Sequence, residues 1–258
     1  MYPYLHAILS DQTGGIRFTC FGMWHLLYMA VIFGGIFAVL QCMRKRSETT
    51  KQKTIQLTIG LAFGLYILDF FLMPLAYGEI DVEKLPFHMC TAMCVLAFLS
   101  RHHRFWRKFQ KQFALLGLVS NLIYVVYPAG VGWYQIHPLS YRVVQTLLFH
   151  GTMVAYGVFV LAFETKGLHW RDSAQELPVI AAMCVWALVG NALYNGVAGR
   201  FFNWFFVVRD PFYLLPETLA PYVMPFVMIL VIFMTDLLVY GIYFSVRKCV
   251  GMKKTIGK

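Results

Sequence analysis

Apolar stretches about as long as a lipid bilayer is thick recur along the whole chain, separated by short polar or basic segments. A hydrocarbon core of about 30 Å needs roughly 20 apolar residues in helical form. Inside that core every backbone N–H and C=O has to be satisfied within the protein. Repeated stretches of this length therefore predict transmembrane helices. Seven spans account for them: 21–41, 54–78, 85–100, 112–128, 142–163, 177–196 and 221–246. The third is short for a full crossing. The expected fold class is all-α, a polytopic transmembrane helix bundle of seven spans, with residues 1–258 forming a single domain.

Composition supports the class and narrows the partners. The chain is 59% hydrophobic and 13% charged, whereas a soluble domain carries about 25% charged residues. The net charge is +10. On a soluble protein that excess would suggest nucleic acid, but here the basic residues gather between spans. Topology and contact with anionic lipid explain them without nucleic acid. Membrane lipids are the expected partners.

The same basic residues orient the bundle. Arg44, Lys45, Arg46, Lys51 and Lys53 follow the first span, and Arg101, Arg104, Arg107, Lys108 and Lys111 follow the third. Arg247, Lys248, Lys253, Lys254 and Lys258 end the chain. The alternate loops are poor in them: Lys84 follows the second span, and Arg200 and Arg209 follow the sixth. The positive-inside tendency then predicts a cell-membrane protein with its N-terminus outside and its C-terminus in the cytoplasm. No cleavable signal peptide is expected, because polar Asp11, Gln12 and Arg17 precede the first span. Between spans six and seven, Arg200 to Val208 is too aromatic for a wet loop and too interrupted for a span. An interfacial helix, a re-entrant lid or a plain aromatic belt would suit it.

Ionisable groups inside a membrane are costly and usually face the bundle interior. With this topology they form one layer in the outer half: His25, Asp69, His88, Cys90, Asn121, His150, Asn191 and Asn195. Cys90 is the best nucleophile of the layer, since a thiol can attack an ester and hold the acyl group as a thioester. His150, at similar depth on another span, is the best base. His25, Asp69, His88, Asn121, Asn191 and Asn195 are left to bind substrate, with Asn191 or Asn195 able to steady an oxyanion. Cys94, one turn deeper than Cys90, fits packing as well as chemistry. Asp236 lies deeper in the seventh span, where a hydrogen bond to another helix is the expected role.

A metal site is not expected. His25, His88, His150 and Asp69 are suitable ligand types, yet no local pair such as His-x-x-x-His brings two of them together. The six cysteines show no zinc-like double pair. No cofactor is called for. Two other functions stay open. One is a small-molecule or ion carrier using Asp69 and Asp236, and the other is a non-enzymatic structural or signalling membrane protein.

Leu85-Pro86-Phe87-His88-Met89-Cys90, the Asp69 span, Phe149-His150-Gly151, Asn191-Ala192-Leu193-Tyr194-Asn195 and Arg209-Asp210-Pro211 together carry a resemblance. The chain resembles the bacterial YwaF-like integral membrane proteins, which are similar to mammalian transmembrane protein 164, a lipid acyltransferase. That resemblance implies a thioester-forming cysteine in a Pro-x-His-x-Cys motif, which falls on Cys90, and a histidine partner in the fifth span, which falls on His150. It implies transfer of a fatty acyl chain between phospholipids, near the outer leaflet under the topology above.

Overall fold

Every regular element in the computed structural model is helical, and the model describes residues 15–78, 80–132, 136–164, 168–195, 201–211 and 213–256. The long helices are α1 (Met23–Met43), α2 (Glu48–Tyr77), α3 (Met89–His102), α4 (Gln110–Val126), α5 (Tyr141–Phe163), α6 (Trp170–Tyr194) and α7 (Ala220–Ile256). Among the described residues five of them, and α4 taken together with the short turn Trp106–Phe109 before it, are long and apolar enough to cross a membrane, and α3 is a shorter apolar helix. The protein is a polytopic, multi-pass membrane helix bundle.

Local chemistry sets the helix ends. Ser47 caps α2, its side chain accepting from the Thr50 N–H at 3.3 Å. The cap starts the helix at Glu48, so the polar residues ahead of Thr54 form its first turns. At the other end Gly78 takes a left-handed conformation, φ 80°, that an L side chain rarely adopts. The start of α3 is held back by Pro86. Leu85 is extended before the proline, as its ring requires, and His88 is still extended as the N-cap. The helix then runs 14 residues, about 21 Å at 1.5 Å per residue, which is less than a full crossing. Cys90 consequently sits in its first turn.

The chain divides into two compact units, Met1–Lys166 and Gly167–Lys258. In the first, α5 is the central helix and packs against α1, α2 and α4, while α3 packs against α2 and α4. Most of α5 is buried, including Val143, Leu147, Met153, Tyr156 and Val160. By contrast α1 buries only His25 and Ile36 and leaves Leu26, Leu27, Val31 and Phe37 exposed. Such rings and branched chains suit lipid, which is as apolar as they are.

Because lipid tails offer no hydrophobic contrast, helix contacts in a bilayer depend on close packing of small residues. α5 carries two at its crossings. A Cβ at Gly157 would lie 2.5 Å from Leu118 Cβ and 2.9 Å from the Ala114 carbonyl of α4. A Cβ at Gly151 would meet Ile32 of α1 at 2.9 Å. Polar groups then fix the end of the unit where α3 stops. Arg101 donates to both Glu164 oxygens at 2.6 and 2.7 Å, and Gln110 donates to Glu164 Oε2 at 2.8 Å. This two-pronged guanidinium–carboxylate pair joins the end of α3, the start of α4 and the end of α5.

In the second unit α6 and α7 pack together, and the short turn Trp204–Phe206 packs on both. Trp170 opens α6 and stacks on Tyr240 of α7, ring centroids 5.9 Å apart. Asp172 accepts from the His169 N–H at 2.8 Å and closes a capping box there. Arg200, part of the aromatic stretch singled out above, lies outside the described residues, and Phe201 to Pro211 form only that one turn.

The crossing at Gly157 gives a direct test. Gly157→Ala places a methyl group against backbone and a Cβ, neither of which can swing away. It should cost about 1–3 kcal/mol, read as a lower thermal midpoint of the purified protein. Gly34→Ala on α1, with nothing within 4 Å of the added Cβ, should leave the midpoint unchanged or raise it.

Candidate active site

The site begins at the first turn of α3. His88 is the N-cap and Cys90 is the second helical residue. The first N–H groups of a helix lack intrahelical partners and carry the positive end of its dipole. Cys90 is half-buried, whereas Cys94, one turn on, is wholly buried. Access therefore separates the two thiols.

His150 comes from α5 and is buried. Its Nδ1 lies 2.6 Å from Asn121 Oδ1 of α4. Asn121 Nδ2 is already donating to the Gly117 carbonyl at 2.7 Å, so the oxygen of that amide faces the ring and can only accept. Nδ1 must then carry the proton, and Nε2 is left as the basic nitrogen. Tyr124 stacks on the imidazole, centroids 4.0 Å apart and planes 16° from parallel. Position, tautomer and ring plane are thus fixed by α4.

A third group ties these elements together. Asp69 of α2 is 1% exposed, and its Oδ1 accepts from Tyr141 Oη at 2.8 Å. Its Oδ2 lies 3.0 Å from the Lys84 ammonium. Tyr66 of α2 donates to the Lys84 carbonyl at 3.1 Å. Lys84 lies within electrostatic reach of Cys90, His88 and His150, and His88 within reach of His150. The cluster is one electrostatic neighbourhood assembled from α2, the 80–88 segment, α3 and α5. Cys90 and His150 make no hydrogen bond to each other.

The other sequence candidates have specific places. His25 accepts from the Phe21 N–H at Nδ1, 2.9 Å, so its Nε2 donates to the Val125 carbonyl, also at 2.9 Å. Both ring nitrogens are used: Nδ1 holds the chain just before α1, and Nε2 ties α1 to the end of α4. Asn121 orients His150, and Asp69 is engaged by Lys84 and Tyr141. Asn191 and Asn195 belong to the second unit, where they hold the aromatic segment. Asn191 donates to the Trp204 carbonyl at 3.1 Å and accepts from the Trp204 N–H at 2.9 Å. Asn195 brackets Phe202 in the same way, at 3.0 and 2.6 Å. Among the described residues no group of three His, Cys, Asp or Glu is placed to hold a metal ion.

Lys84, Tyr141 and Tyr124 are the participants that the sequence did not single out. The signal for Lys84 was available. It is the lone lysine in a poorly basic loop, within reach of a span that carries an otherwise unpaired aspartate. Nothing in the sequence distinguished the two tyrosines from the other 13 of the chain's 15.

The model of the TMEM164 family matches residues 20–243, and the chain belongs to that family. No curated protein and no solved structure matches it.

The buried ion pair predicts an asymmetric mutational response. Lys84→Met strands the Asp69 carboxylate beside a single phenol, and removing one partner of a buried pair costs about 3–5 kcal/mol. Adding Asp69→Asn to Lys84→Met should recover most of the loss, because the amide oxygen still accepts from Tyr141. Thermal unfolding of the two variants beside the wild type checks this order.

Proposed function

With family membership as the premise, we propose that this protein is a cysteine-dependent acyltransferase acting on membrane lipids, with Cys90 as nucleophile and His150 as base. The carrying observation is the 2.6 Å contact between Asn121 and His150. It leaves a basic Nε2 in the same electrostatic neighbourhood as a half-buried thiol at a helix N-terminus. A nucleophile, a base and a residue that orients the base are the parts that covalent acyl transfer uses.

The reaction follows from those parts. Cys90 sulfur attacks the ester carbonyl of a lipid, its proton passing to His150 Nε2. The tetrahedral intermediate collapses, the C–O bond breaks, and the leaving alkoxide takes the proton from His150. The acyl group is now a thioester on Cys90. A second lipid hydroxyl gives its proton to Nε2 and attacks the thioester, the C–S bond breaks, and the released Cys90 sulfur takes the proton back from His150. The N–H groups at the start of α3 are placed to meet developing negative charge. Productive proton transfer needs a contact of about 2.6–3.2 Å, so substrate binding draws Cys90 and His150 together or bridges them. Lipid enters sideways from the bilayer, and the chemistry faces the outer leaflet, with the N-terminus outside.

Two experiments test this reading. Intact-protein mass spectrometry after incubation with mixed phospholipids should show a hydroxylamine-sensitive acyl adduct on the wild type. Cys90→Ala and Cys90→Ser should lack it, His150→Ala and Asn121→Ala should form it more slowly, and Cys94→Ala should keep it. A folded wild type that never carries an acyl mass, over varied donors, would turn the reading toward a carrier. For the topology, cysteines introduced in the 44–53 loop and beside Lys84 are exposed to an impermeant thiol reagent on intact cells. Labelling beside Lys84 alone is expected, and the reverse pattern sinks the outer-leaflet assignment.

A further inference from the structure

A second buried polar cluster lies between α6 and α7, and acyl transfer makes no use of it. Glu176, Asp236 and Tyr240 are each 0% exposed. Tyr240 Oη donates to Glu176 Oε1 at 2.7 Å. Asp236 stands one turn before Tyr240 on the same face of α7, which sets its carboxyl beside that of Glu176. Glu176 Oε2 and both Asp236 oxygens have no donor.

The surroundings offer no compensation. Among the described residues no Lys, Arg or His pairs with either carboxyl. Asp172 of α6 is the other charged group that acts on Glu176 and Tyr240, and its sign is the same. From α7 the group that meets Glu176 is Tyr240, and one turn beyond it Phe244 packs on the ring of Trp170. Two adjacent carboxylates cannot both stay charged in such a place, because neither is solvated and each repels the other. A hard metal ion asks for about six oxygens, and this cluster has three without a donor. A proton resolves the conflict alone, since it turns one carboxyl into a donor for the other.

We propose that Glu176 and Asp236 form an intramembrane proton-binding site, in which one exchangeable proton bridges Glu176 Oε2 and an Asp236 oxygen while Tyr240 holds Glu176 Oε1. Water supplies the proton on binding and receives it on release. The O–H bond to the carboxyl forms or breaks accordingly, nothing is oxidised, and one negative charge remains shared by the bridged pair. Release leaves two charges face to face across the α6–α7 contact. Stability of that contact is therefore present while the proton is bound and is lost as pH rises past its release.

The test uses the full chain in lipid nanodiscs and infrared difference spectroscopy. Near neutral pH the wild type should show the carbonyl stretch of a protonated carboxylic acid, moved by exchange into heavy water. Tyr240→Phe should shift that band, and Glu176→Gln and Asp236→Asn should each remove it. In parallel, the thermal midpoint of the wild type should fall as pH is raised, while that of Glu176→Gln changes less. If the glutamine variant does not fold, the shift in Tyr240→Phe serves in its place. Absence of the band from the wild type overturns the proposal, as does a band that survives both carboxyl substitutions. A band that appears only after sodium and potassium are removed also overturns it, by assigning the site to a metal ion.

Discussion

A polar side chain at hydrocarbon depth has to find its partner on another helix, and the arrangement of this bundle follows from that constraint. Asp69 is the clearest case. Buried in α2, it reaches Lys84 in the segment leading to α3 and Tyr141 at the start of α5. Three separate elements are drawn to one point, and the first turn of α3 is set beside them. His25, His150 and Arg101 repeat the pattern at other contacts. Each partner lies far along the chain, so each contact fixes tertiary structure rather than a local turn.

Packing supplies what the polar contacts leave undone. Gly151 and Gly157 let α5 approach α1 and α4 more closely than any side chain would permit. α5 thereby becomes the axis of its unit, buried along most of its length. His150 inherits its position from this. It lies one residue from a glycine crossing, on a helix with little freedom to shift, and it meets an asparagine whose own amide is already committed. The imidazole is thereby held in one position and one ring plane.

Proline decides where the third helix begins and so where Cys90 sits in it. A turn at Pro86 and Phe87, flanked by extended Leu85 and His88, delays the helix until Met89. Cys90 therefore meets free N–H groups instead of the middle of a hydrogen-bonded ladder. The helix that follows is too short to cross by itself, and Arg101 anchors its far end to Glu164. A full-length helix would have buried the thiol among completed hydrogen bonds.

The sequence by itself determined the class and the approximate extent of the helices, because hydropathy is a local sum and the bilayer thickness is a fixed measure. Its starts fell short where capping, not hydropathy, sets the boundary, as at Glu48 and Trp170. The second of these differences mattered. A sixth helix beginning at Trp170 takes Glu176 inside it, where a span from residue 177 leaves it in a loop. The sequence also drew attention to Cys90, His150, Asn121 and Asp69 by their depth. Only tertiary structure decided what each one touches: that Asn121 orients the imidazole, that Lys84 answers Asp69, that His25, Asn191 and Asn195 secure backbone, and that Asp236 faces Glu176. Depth along a helix can be read from residue order. Azimuth and the identity of a facing side chain depend on how helices rotate and cross, and those are settled by packing among residues distant in the chain.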